Sequence, residues 1–270
     1  MSQKIPDHRR VDKGEVYTSG SFFAPMKWHW RHRLAACRTS LSTLLPSDCA
    51  LCGLSAPGIL CEPCKSQFFR HMAQRCQRCA LPVSAAPVCG ACLRNPPAFD
   101  ATIVAADYQA PIDQLVLALK FGAALPLAPL FGNLLKEAMI VAAPDRSNWP
   151  DILAPVPLGS QRLIERGYNQ ALEIARPLAR SLTLPLLPSL LIRVRDTEAQ
   201  AAMPARQRHQ NMRAAFIVPP PSVTSVTGRH IGLVDDVMTT GATLHELALT
   251  LKRCGASRVT NLVFARTLPR

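Results

Sequence analysis

One stretch constrains the fold more than any other: Ile231-Gly-Leu-Val-Asp-Asp-Val-Met-Thr-Thr-Gly-Ala-Thr243. The apolar run Ile231, Leu233 and Val234 reads as a buried strand. The paired carboxylates Asp235 and Asp236 stand at its carboxyl end. Thr239, Thr240, Gly241, Ala242 and Thr243 make a tight loop of hydroxyls and glycine, and Leu244, Leu247, Leu249 and Leu251 continue with helical spacing. In open α/β sheets ligands gather at strand carboxyl ends, and a helix N-terminus attracts anions. Backbone N–H groups and threonine hydroxyls can hold a phosphate there, while the two acids accept hydrogen bonds from sugar hydroxyls. Carboxylates would repel a phosphate set against them, so the layout suits a phosphorylated sugar whose hydroxyls face the acids. An ordinary strand, acidic turn and helix is the plainer alternative.

Strand and helix patterns alternate through the rest of the C-terminal part. Strands are expected at 101–108, 152–156 and 259–265. Helices are expected from Pro111 through Leu115, Val116 and Leu119, over 127–142, and over 169–182 with a kink at Pro177. Residues 144–150 and 219–225 read as loops. Such alternation predicts an α/β domain with a parallel-rich, doubly wound sheet flanked by helices.

Cysteine dictates the N-terminal part. Eight of the ten fall into four Cys-x-x-Cys pairs: Cys49/Cys52, Cys61/Cys64, Cys76/Cys79 and Cys89/Cys92. A two-residue gap lets both thiolates of a knuckle face one ion, and two knuckles complete a closed, structural four-sulfur zinc site. Intervening lengths of 8, 11 and 9 residues divide the region into ribbons at 49–64 and 76–92. Sequential pairing is favoured over cross-braced pairing because short loops close at lower entropic cost. Disulfides are disfavoured without a secretory signal, and a single redox motif does not explain four knuckles. Two structural Zn²⁺ ions are therefore expected, supplying much of the folding energy of so short a segment.

The expected organisation is a basic, disordered extension at 1–46, a double zinc ribbon at 47–94 and an α/β domain at 99–270, with Asn95-Pro-Pro-Ala98 as a stiff joint. The extension carries the basic and aromatic cluster Lys27-Trp-His-Trp-Arg-His-Arg33. No apolar run is long enough to span a bilayer, so no membrane span is expected, and a cytoplasmic location is. The net charge of +13 suits phosphorylated ligands or nucleic acid.

Asp-Asp-Val-Met-Thr-Thr-Gly-Ala-Thr resembles the phosphoribosyl pyrophosphate (PRPP) loop of type I phosphoribosyltransferases. The strand at 152–156 leads into Pro157-Leu-Gly-Ser-Gln-Arg-Leu-Ile-Glu-Arg-Gly-Tyr-Asn-Gln170, placed like the pyrophosphate loop of that fold. Arg162 and Arg166 offer guanidinium forks for phosphate oxygens, with Gly167 and Asn169 beside them. Arg-Gly-Tyr-Asn-Gln, the four knuckles, Thr197-x-x-Gln200, Arg208-x-x-Asn211 and Ala215-Phe216 together resemble the ComF family, which includes ComF competence proteins and GntX-like proteins. That resemblance implies PRPP binding with Mg²⁺. It implies a mobile hood carrying Arg195, Thr197, Gln200, Arg208 and Asn211, and a link to competence, DNA uptake or DNA utilisation. It also implies single-stranded DNA or a DNA-processing protein as a partner. Two functions stay open: phosphoribosyl transfer to an unidentified acceptor, and a non-catalytic PRPP-sensing or DNA-binding accessory role. No catalytic base is assigned. Thr239 stands where purine phosphoribosyltransferases place an aspartate base, and it cannot take a proton at neutral pH. Lys120-Phe-Gly-Ala-Ala carries fewer basic residues than the family pattern, which leaves the role of Lys120 open.

Overall fold

A computed structural model of the chain describes residues 47–69, 74–194 and 215–269. The first ribbon opens with β1 (Ser47–Asp48) paired antiparallel to β2 (Ser55–Ala56), followed by α1 (Glu62–Phe69). The second ribbon closes with α2 (Gly90–Arg94). Then come β3 (Ala101–Asp107), α3 (Ile112–Phe121), α4 (Leu127–Ala142), β4 (Ile152–Pro155), α5 (Ser160–Arg166), α6 (Gln170–Leu182), β5 (Ile192–Arg193), β6 (Phe216–Ile217), β7 (His230–Met238), α7 (Ala242–Arg253) and β8 (Arg258–Arg266).

Four strands form one parallel sheet in the order β3-β8-β7-β4. β7 and β8 are its inner strands, and their burial on both faces explains why they read as apolar runs rather than alternating ones. Helices cover both faces, with Phe131 of α4 stacked on Phe264 of β8 at a centroid distance of 3.5 Å. At the amino edge of the sheet, carboxylates satisfy amides that start the ladders. Asp151 accepts from His230 N at 2.8 Å, and Asp100 accepts from Val259 N at 2.7 Å. Every strand thus delivers its carboxyl end to the opposite edge, where ligands bind in such sheets.

Several expectations change in detail. β7 runs on through Met238, so Asp235 and Asp236 belong to the strand rather than following it. The expected loop after β4 contains α5, and helix α3 starts one residue after Pro111. Residues Pro220–Ser225 form a short 3-10 helix instead of irregular chain. Pro177 lies within a helix continuous from Gln170 to Leu182. α4 accommodates it by presenting Gly132: a Cβ there would stand 3.1 Å from Pro177 Cγ and 3.1 Å from Leu178 N.

The zinc-ribbon region packs into the α/β part instead of hanging from it. Cys76, Cys79 and Cys92 belong to the same buried cluster as Met238, Leu244 and Leu247. Cys49, Cys61 and Cys64 form a separate small cluster with Leu51, Leu60 and Phe68. The first ribbon reaches α4 through a Lys65–Glu137 ion pair at 2.6 Å. Residues 1–46, including the basic and aromatic cluster, lie outside the described residues.

Candidate functional site

The site is built where β7 turns into α7. Asp236 is buried and Asp235 half-buried, because β7 is covered on both sides. The amide of Asp236 donates to Asp235 Oδ1 at 2.9 Å, which holds the first carboxylate against its own strand. Burial first, and the adjacent Asp236 second, push Asp235 up to about 8, although Lys120 works the other way. Thr239 and Thr240 are exposed, and Thr240 Oγ1 accepts from Ala242 N at 3.3 Å at the first turn of α7. Gly241 has φ +81°, a left-handed conformation that favours glycine, and Met238 Cε packs 2.5 Å from where a Cβ would stand. A hydroxyl-lined turn is thereby set at the N-terminus of a 12-residue helix, shortly after two acids.

Tertiary contacts add three residues to this constellation. Lys120, in the last turn of α3, places Nζ 3.1 Å from Asp236 Oδ2. Tyr168 donates its hydroxyl to Leu119 O, and the Arg166 guanidinium lies 5.0 Å from the Phe121 ring centroid. The end of α3 therefore ties the 160–170 segment to the acids of β7. Third, Arg266 at the end of β8 is buried and donates to Met238 O, Thr239 O and Thr267 O from one nitrogen and to Cys79 O from another. Nothing in the local sequence signals these contacts beyond a lone lysine after an apolar helix and a lone arginine ending an apolar strand.

The remaining predicted residues divide into three groups. Arg162 and Arg166 stand one turn apart on α5 and so share a face, with Gly167 closing the helix at φ +76°. Asn169 is the N-cap of α6: its Oδ1 accepts from Ala171 N at 3.0 Å and its Nδ2 donates to Val156 O at 3.0 Å. The cap commits Oδ1 and one of the two Nδ2 hydrogens, leaving a single side-chain N–H. Arg195, Thr197, Gln200, Arg208 and Asn211 lie outside the described residues. The chain departs and returns side by side, with β5 antiparallel to β6 and Val194 N donating to Ala215 O at 2.9 Å.

A cavity of about 530 Å³ opens beside the loop, lined by Thr240, Gly241, His245 and Arg266 on one side and by Cys79, Cys92 and Phe99 on the other. A larger one, about 760 Å³, runs along β3 and is lined by none of the acid or loop residues.

The cysteines assemble in sequence order. Within each set, Cys49/Cys52/Cys61/Cys64 and Cys76/Cys79/Cys89/Cys92, all four sulfurs lie within 4.8 Å of one another. Cys52 and Cys61 are 3.7 Å apart and Cys79 and Cys89 3.6 Å, close to the roughly 3.8 Å edge of a tetrahedron with Zn–S bonds of about 2.3 Å. Backbone amides also point at sulfur: Cys61 N donates to Cys49 Sγ and Cys89 N to Cys76 Sγ. Burial opposes ionisation of Cys49 and Cys76, but surrounding N–H groups outweigh it and bring them down to about 6 and about 7. Both sets fit structural zinc, with no position left for substrate.

Known proteins share this arrangement. Residues 40–93 match the double zinc ribbon domain family and residues 169–268 the phosphoribosyl transferase domain family. DNA utilization protein YhgH of Salmonella typhimurium is 35% identical over 230 residues, spanning 83% of this chain and 99% of that protein. Competence protein F of Haemophilus influenzae is 32% identical over 202 residues, spanning 74% and 87%. Competence protein ComFC of Bacillus subtilis is 26% identical over 215 residues, spanning 77% and 84%. With both regions matched and these relatives covered over most of their length, the chain belongs to the ComF family.

Proposed function

We propose that the chain binds PRPP with Mg²⁺ and transfers its phosphoribosyl group to an acceptor in the service of DNA utilisation. The observation that carries this reading is the pair Asp235–Asp236 near the carboxyl end of β7, with two residues between it and the Thr239–Thr240–Gly241 turn at the N-terminus of α7. In this reading, amides and hydroxyls of residues 239–243 hold the 5-phosphate, and Asp235 and Asp236 orient the ribose hydroxyls. Arg162 and Arg166 attract the pyrophosphate; Asp235 and Asp236 would hold Mg²⁺ through water, and the ion would supply further neutralising charge. Breaking the C1–pyrophosphate bond develops positive charge on the ribose, which the acidic end of β7 favours most once Asp235 is ionised, so positioning and electrostatics supply the catalysis. Thr239 takes no proton, so the acceptor's proton passes to solvent, to the leaving pyrophosphate or to another group, or the acceptor carries none.

That same threonine favours a second reading, an accessory protein that binds PRPP without transfer. Calorimetric titration with Mg-PRPP, comparing the wild type with Asp235→Asn/Asp236→Asn, tests the site. Heat in the wild type that disappears in the variant supports it, and equal heats in both discard it. Pyrophosphate release with added acceptors then separates enzyme from sensor. Single-stranded DNA is the partner suggested by the net charge of +13 and by the relatives' names. Retention on a single-stranded DNA resin that weakens steeply with salt is its measurement, and salt-independent behaviour discards it.

A further inference from the structure

The two cysteine sets are alike in chemistry but not in what they touch. Beside the second set runs the 239–243 loop, and a single side chain bridges them. Arg266 is 5% exposed. Its Nε donates to Cys79 O at 2.9 Å, and its Nη1 to Met238 O at 2.9 Å and to Thr239 O. A trans peptide is planar, with N–H pointing opposite to the preceding C=O. Holding the carbonyls of Met238 and Thr239 toward Arg266 therefore turns the amides of Thr239 and Thr240 the other way. Those amides begin the anion cradle, so the guanidinium acts as its template. The fork is rigid, and Cys79 O fixes it from the ribbon side.

Neighbouring contacts strengthen the bridge. Ala98 N, just past the second ribbon, donates to His245 Nδ1 in the first turn of α7 at 3.1 Å. Phe99 is 2% exposed and lies under Gly241, 3.7 Å from where a Cβ would stand. Among the described residues, the region of the first set meets α4 at Glu137 and β8 at Phe264, away from the loop.

We propose that the second cysteine set, and not the first, holds the 239–243 loop in its anion-ready shape, with Arg266 as the positioning residue between them. The inference deepens the PRPP reading, but its main test does not depend on that ligand. Amide hydrogen exchange is followed in the zinc-loaded full chain and in three variants: Arg266→Lys, Cys89→Ser/Cys92→Ser, and Cys49→Ser/Cys52→Ser. Lysine keeps the charge but loses the fork. Arg266→Lys and the second-set variant are expected to speed exchange at residues 239–242 by about tenfold, whereas the first-set variant stays within about twofold. Combining Arg266→Lys with the second-set lesion should add nothing further. Mg-PRPP affinity should fall about tenfold in Arg266→Lys at unchanged zinc content. Should the second-set variant fail to fold, Arg266→Lys decides the matter. The proposal is overturned if both cysteine lesions loosen the loop equally, or if Arg266→Lys leaves it unchanged. A wild type that takes up no Mg-PRPP defeats the ligand reading, while the exchange comparison still decides the coupling.

Discussion

Asp235 shows what two adjacent acids cost a fold. Its pKa is raised from 3.8 to about 8, first by burial and then by Asp236, so the folded state prefers it protonated. An acid raised in this way contributes stability fully present below its unfolded pKa and lost as pH climbs through its folded one. Asp235→Asn should therefore melt at a higher temperature than the wild type at pH 8, with the advantage shrinking toward pH 4. Thermal denaturation across that range reads it, and the zinc sites, common to both proteins, cancel. A gain in stability with loss of ligand heat would mark the acid as kept for binding, since functional sites commonly carry strain of this kind. The Lys120–Asp236 pair, with side chains 21% and 10% exposed, is the compensating contact. Lys120→Met leaves Asp236 without its counter-charge and should cost about 1–3 kcal/mol, less than for a fully buried pair. Adding Asp236→Asn should recover most of that loss, which chemical denaturation of the four proteins in a double-mutant cycle would reveal.

Elements pack here by local accommodations. α6 tolerates Pro177 because α4 offers Gly132 opposite it, letting the two helices approach to backbone contact. Gly132→Val forces them apart and should cost about 1–3 kcal/mol, measured as a lower denaturation midpoint without change in Mg-PRPP affinity. A loss of affinity equal to that of the Asp235/Asp236 variant would show that this packing reaches the site. His230, at the start of β7, illustrates a buried polar group satisfied within the sheet. It meets Thr260 Oγ1 at 2.8 Å, and burial, with Arg258 second, holds it down at about 4. It stays neutral in the fold, so it withdraws stability only as pH falls from its ordinary 6.5 toward 4.

At the scale of the whole molecule, the two ribbons are mounted differently. The second shares its cluster with α7 and the end of β7, whereas the first keeps its sulfurs in a small cluster and rests Leu51, Ile59, Phe68 and Phe69 against the core of α4 and β8. Zinc measured on the purified chain should come to two ions per molecule, as the two sulfur sets require. Gradual chelation should release the ion of the first set with little change in the α/β core, and loss of the second should loosen the 239–243 loop. Metal release assayed alongside exchange checks the order, and simultaneous release with global unfolding would contradict it. Among the described residues, no helix is long and apolar enough to cross a membrane.

Local chemistry made much of this legible in the sequence. The Cys-x-x-Cys spacing carried the two sulfur sets, and the strand, acids, hydroxyl turn and helical leucines carried β7 through α7, because each signal is written within a few consecutive residues. The capping role of Asn169 was not legible beside Arg162 and Arg166, because capping and anion binding ask for the same side chain at the same place; the fold engages its Oδ1 with Ala171 N and one Nδ2 hydrogen with Val156 O. Lys120 and Arg266 could not be assigned from their surroundings. Lys120 meets an acid 116 residues away, and Arg266 meets a carbonyl 187 residues away. A parallel sheet makes neighbours of strands whose order β3-β8-β7-β4 is not their order along the chain. The residues at their carboxyl ends therefore meet only once that order and its register are set. The sequence by itself determined the parts of the cradle, since each part is a local pattern; the tertiary structure decided what neutralises and braces it, since charge pairing and carbonyl capture depend on distance in space.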